Sequence, residues 1–130
     1  LFGHMITVDL GGVMVEIHPL PGHTDDCMVA SIPQWGVLLA GDTVETPLPY
    51  LHMSSIPVLA QWIGNLEKWA STERVRTVIP SHGEIGDRRV ISQNVRYLTD
   101  LRDGEVPDVP DEMSAFYTET HANNMKLAGF

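Results

Sequence analysis

The chain has 130 residues, 43% of them hydrophobic, with 17 acidic against 8 basic side chains and a net charge of −9. That length suits one domain, residues 1–130, with a modest core; the acidity argues against a nucleic-acid partner, which needs clustered Lys and Arg, and the nearest approach (Arg74, Arg76, Arg88, Arg89) reads as solvated loop and helix-end charge. No stretch nears the roughly 20 apolar residues of a membrane span, and the single cysteine, Cys27, excludes an intrachain disulfide.

The first residues are ambiguous. Leu1 is not a translation start, and Gly3-His4-Met5 has the composition of a scar left by tag removal. A tag remnant and a fragment are both open readings. With no leader visible, the expected location is the cytoplasm. From residue 5 the pattern is β. Residues 5–10 and 13–20 alternate apolar and polar, and Gly11-Gly12 between them predicts a tight hairpin, because glycine accepts the positive φ such turns need. Pro19 and Pro21 end the second strand and lead into Gly22-His23. Residues 27–32 and 37–40 predict two more strands, joined by the turn Pro33-Gln34-Trp35-Gly36. Cys27 is expected as a small core residue.

A Pro- and Thr-rich loop fills residues 44–55. Residues 56–70 then predict a helix: Leu59, Trp62, Ile63, Leu66, Trp69 and Ala70 recur at three- and four-residue steps. Ser55 is its expected N-cap, with Pro57 in the first turn and the tryptophans in the core. A short strand is predicted over 75–79 and a second helix over 87–101, closed by Gly104. Residues 105–110 form a linker. A third helix is expected over 111–127, opened by Asp111, without a firm apolar face.

Three potential metal ligands follow strand-like runs: His23 in Pro21-Gly22-His23-Thr24, Asp42 in Leu39-Ala40-Gly41-Asp42-Thr43, and His82 in Ile79-Pro80-Ser81-His82-Gly83. Neutral imidazoles and a carboxylate, held rigidly with one position open to water, are what a hydrolytic zinc site requires. They are too far apart in sequence for a local helical motif, so the fold must gather strand ends. A glycine beside each (Gly22, Gly41, Gly83) permits tight turns and close backbone approach. Of the other histidines, His18 reads as a half-buried strand residue, His52 as solvent-exposed, and His121 as hydrogen-bonded or exposed on the last helix.

In these three motifs, taken in order, the chain resembles the second half of metallo-β-lactamase-fold hydrolases, the superfamily that includes glyoxalase II-like thioesterases and lactonases. Val8-Asp9-Leu10-Gly11-Gly12 and the closing segment 117–124 add to the likeness. The resemblance implies an α/β fold: half of an αββα sandwich, a mixed or antiparallel sheet with helices on one face. It implies that His23 binds one metal, Asp42 bridges two and serves catalysis, and His82 binds the second. The metal expected is zinc, with iron and manganese open, since His and Asp suit all three. The activity implied is hydrolysis of an ester, thioester, lactone or amide carbonyl in a small molecule by metal-bound hydroxide. The family's earlier His-x-His-x-Asp-His loop is absent from these 130 residues. The expected partner is therefore an N-terminal half-fold or a second copy of the chain. Two non-catalytic alternatives stand beside this: an inactive half-fold homodimer, and a small-ligand module with a pocket beneath the loop 46–55, near Tyr50, Met53 and Trp62.

Overall fold

The computed structural model describes residues 4–130. The tag reading thus falls partly on residues 1–3, outside the described residues, while His4 and Met5 are exposed. Five strands form one mixed sheet in chain order: β1 (Ile6–Asp9), β2 (Met14–Pro19), β3 (Met28–Ile32), β4 (Val37–Gly41) and β5 (Thr77–Pro80). β1 to β4 pair antiparallel and β5 joins β4 in parallel. A parallel neighbour needs a crossover, which helix α1 (Leu59–Ala70) supplies; α2 (Arg88–Asp103) and α3 (Ala115–Ala128) follow β5. This is the α/β architecture expected.

The predicted hairpin is present. Gly11 and Gly12 have φ of 84° and 101°. Asp9 Oδ1 accepts from both their N–H groups at 2.9 and 2.7 Å, and Leu10 N–H closes the turn on the Val13 carbonyl at 2.9 Å.

Partners directly opposite in a sheet share a face. One face carries Val29, Leu38, Ala40 and Val78, all buried, against Trp62, Ile63 and Leu66 of α1 and Ile91, Leu98 and Leu101 of α2. The opposite face carries Ile6, Val8, Val15, Ile17, Met28, Ala30, Ile32, Val37, Leu39 and Ile79. None of these ten belongs to the core or packs on it, and Met28 is 47% and Leu39 40% exposed. The helices do lie on one side, and among the described residues an uncharged apolar sheet surface is left open on the other.

Four local expectations need correction. The 56–70 helix is two elements: a 3-10 segment, Met53–Val58, precedes α1 and contains Pro57. His52 caps it, its ring nitrogen accepting from Ser54 N–H, so Ser55 is not the cap. α3 begins after Ser114, whose hydroxyl accepts from Tyr117 N–H, rather than at Asp111. Cys27 lies just before β3 and is only half-buried, with Sγ 3.1 Å from Thr24 Oγ1. The second helix matches its expectation, with Asp87 as N-cap accepting from Arg89 N–H and Gly104 in the left-handed region.

Candidate metal centre

Asp42 directly follows β4 and His82 lies two residues beyond β5. Because these strands are parallel neighbours, both residues emerge at one end of the sheet. Gly41 turns the first loop at φ 57°, and its carbonyl accepts Ser81 N–H at 3.0 Å. This brings His82 Nε2 to 3.5 Å from Asp42 Oδ1. That is long for a hydrogen bond, and among the described residues Asp42 Oδ1 is buried without any hydrogen-bond partner. The spacing instead suits two ligands of one ion: donors each about 2.0–2.1 Å from a tetrahedral zinc lie roughly 3.3–3.4 Å apart. An orphaned carboxylate oxygen facing an imidazole nitrogen therefore fits a divalent metal.

His23 sits in the loop between β2 and β3, half-buried, with Nδ1 2.8 Å from the Tyr50 carbonyl. Its ring lies 6.4 Å from Trp62 and 6.3 Å from His52, centroid to centroid. Among the described residues no three His, Cys, Asp or Glu side chains converge tightly enough to hold an ion. The fold thus brings Asp42 and His82 together, with His23 outside that pair. Of the remaining histidines, His18 packs edge-on against Trp69 at 5.0 Å, His52 is exposed, and His121 Nδ1 meets the Tyr97 hydroxyl at 2.9 Å.

Sequence reasoning missed Glu45, which is 1% exposed. The Asn94 side chain clamps its backbone, accepting from Glu45 N–H at 3.0 Å and donating to its carbonyl at 2.7 Å. The carboxylate accepts from Tyr117 at 3.4 Å. Burial pushes the Glu45 carboxyl above the usual carboxylate range; His82, the Tyr50 N–H and His23 pull it partly back, in that order. Burial, then the Glu45 charge, pushes the Tyr117 phenol up to about 12, so this tyrosine stays a donor. A signal for Asn94 existed: it is a polar residue on the apolar stripe of Val90, Ile91, Leu98 and Leu101.

A carboxyl raised in the folded state contributes stability that is present below its unfolded value and lost as pH rises through the folded one. Glu45→Gln is therefore expected to stabilise the metal-free protein near pH 7, with the advantage shrinking as pH falls toward the ordinary value of 4.5. Urea unfolding at several pH values measures this; an advantage independent of pH would contradict it.

Of the residues expected beside a pocket under the loop 46–55, Trp62 is fully buried and Met53 is 75% exposed. A cavity of about 850 Å³ borders the start of that loop, between Thr46, Pro47, Gly83, Tyr97, Met113 and Tyr117, and its lining does not include Tyr50, Met53 or Trp62.

No family model matches the chain, and no curated protein does. Solved structures do. A metallo-beta-lactamase from Pontibacter korlensis aligns at 26% identity and a TM-score of 0.62, over 76% of this chain and 47% of its own. The metallo-beta-lactamase FIM-1 from Pseudomonas aeruginosa, solved in a mono-zinc form, aligns at 25% identity and 0.62, over 75% and 43%. A metallo-beta-lactamase family protein from Thermus thermophilus aligns at 16% identity and 0.68, over 98% and 44%. The chain spans less than half the length of each. Among the described residues no helix is long and apolar enough to cross a membrane. The five-stranded mixed sheet, its helices on one face and these alignments together identify the chain as a partial metallo-β-lactamase fold.

Proposed function

We propose that residues 1–130 form one domain, the C-terminal half of a metal-dependent hydrolase of this fold, acting on a small-molecule ester, thioester, lactone or amide. The observation that carries this reading is the buried, unpartnered Asp42 Oδ1 facing His82 Nε2 at 3.5 Å. Asp42 and His82 would hold one ion, and His23, which lies outside that pair, would offer Nε2 to the second. When bound, a zinc ion makes water acidic near neutral pH and polarises a carbonyl. Glu45, buried behind the ligands, places a carboxyl where it feels both histidines.

The open sheet face supports a second part of the proposal. Ten uncharged apolar side chains on one open sheet face, with Ile6, Val8, Met28 and Leu39 exposed, are an interface signature, and the matched structures are more than twice as long as the aligned part. A second β-layer would pack there at about 10 Å and bring further ligands to the same sheet edge. A preceding half of the chain is the leading occupant, and a second copy is the other.

Zinc titration of the 130-residue chain, read by elemental analysis and calorimetry on protein prepared without chelator, tests the centre. Weak binding is expected from the chain alone. His82→Ala and Asp42→Asn should each weaken it at least tenfold, as loss of one of so few ligands must. Equal binding by wild type and both variants would overturn the assignment.

A further inference from the structure

Among the described residues, the His23 ring has one hydrogen-bond partner, a backbone carbonyl. The Tyr50 oxygen, 2.8 Å from Nδ1, can only accept. In the neutral ring the proton therefore sits on Nδ1, and the Nε2 lone pair is free. Such a contact is how a protein chooses the tautomer and aim of a ligating imidazole. The question is what fixes the Tyr50 carbonyl, which lies in a proline-rich loop outside any regular element.

Asn124 answers it. This side chain, on α3, is fully buried. Its Oδ1 accepts from Leu51 N–H at 2.9 Å, and its Nδ2 donates to the Pro49 carbonyl at 2.7 Å. One amide thus grips the backbone on both sides of Tyr50. Nδ2 also donates to the Tyr97 hydroxyl at 3.1 Å. That leaves the hydroxyl's own proton for His121 Nδ1, 2.9 Å away. The amide orientation is unambiguous, since Leu51 N–H only donates and the Pro49 carbonyl only accepts.

We infer that Asn124 is a positioning residue for His23: by clamping residues 49 and 51 it holds the Tyr50 carbonyl against Nδ1 and keeps Nε2 available. The consequence for metal binding rests on the proposed role of His23; the tautomer control does not. α3 would then serve the centre without contacting it, through a loop more than 70 residues earlier in the chain.

The test uses the metal-free, ¹⁵N-labelled 130-residue chain at pH 8, where long-range ¹H–¹⁵N correlations report the protonated nitrogen of His23. Wild type is expected to show the Nδ1–H form. Asn124→Leu should shift the ring toward Nε2–H and weaken zinc binding by about 10–100-fold, the usual effect of losing a ligand's orienting partner. Tyr97→Phe is the control for general destabilisation: it removes one Asn124 bond but leaves the grip on residues 49 and 51, so tautomer and zinc affinity should stay at wild-type values. If Asn124→Leu does not fold, Asn124→Asp retains the acceptor for Leu51 N–H, loses the donor to Pro49, and should give an intermediate tautomer ratio. A wild-type ratio in a folded Asn124→Leu or Asn124→Asp protein would overturn the inference, as would a shift of equal size in Tyr97→Phe. A shifted tautomer with unchanged zinc binding would support the positioning role and remove His23 from the metal centre.

Discussion

Trp62→Ala should lower the unfolding free energy by about 4 kcal/mol, within the usual 3–5 kcal/mol for truncating a buried tryptophan. Trp62 is fully buried and heads the large buried side chains of the core. The void would open between the sheet and α1. Part of that loss is polar. Trp62 Nε1 donates to the Thr43 carbonyl at 3.1 Å, and a buried acceptor left without its donor costs about 1–3 kcal/mol. Trp62→Phe separates the two, retaining most of the volume, and should cost about half as much. A fold of this kind has roughly 5–15 kcal/mol in total, so the alanine variant would sit near the edge of stability. The damage would also be local to the centre, because the indole bears on both ligand loops. Thr43 is the neighbour of Asp42, and a Cβ on Gly22, the neighbour of His23, would overlap the indole ring. Urea midpoints give the result, and a loss below 1 kcal/mol would mean that the α1 packing is wrongly assigned.

What was legible in the sequence was local. The Gly11-Gly12 hairpin, the strand alternations and the stripes of α1 and α2 are periodic signals carried by neighbouring residues. His23, Asp42 and His82 stood out because each follows a strand-like run beside a glycine. The 3-10 segment was not legible: its apolar residues run into the stripe of α1, and only the tighter winding around Pro57 separates them. Glu45 and Asn124 were illegible for a different reason. Their meaning lies in partners 49 and 73 residues away in sequence, which no periodicity reports. In α3, Thr120 and Asn124 are the buried positions, so a helix whose inner face is polar reads as having no inner face. The open sheet surface was half legible. β3 and β4 are apolar on both faces, as strands covered on both sides are, while the described residues cover only one.

Gly83→Ala is expected to cost about 2–4 kcal/mol and to separate His82 from Asp42. Two penalties combine. Gly83 has φ of 90°, where a side chain is strained, and a left-handed residue costs about 1–2 kcal/mol for non-glycine. A Cβ there would also overlap the Thr46 carbonyl oxygen, which is backbone and cannot swing aside. Relief requires the 82–83 loop to lift from the 45–46 segment, where Thr46 N–H now reaches the His82 carbonyl at 3.5 Å. Gly104→Ala isolates the first penalty. Its φ is 75°, but nothing lies within 4 Å of the added carbon. It should therefore cost only about 1 kcal/mol and leave zinc binding untouched. The difference between the two unfolding free energies measures the clash alone. If it is real, the zinc affinity of Gly83→Ala should fall toward that of His82→Ala, because the imidazole moves with its loop. Equal costs for the two glycines, with zinc affinity retained in both, would show that the His82 loop is not pinned where these contacts place it.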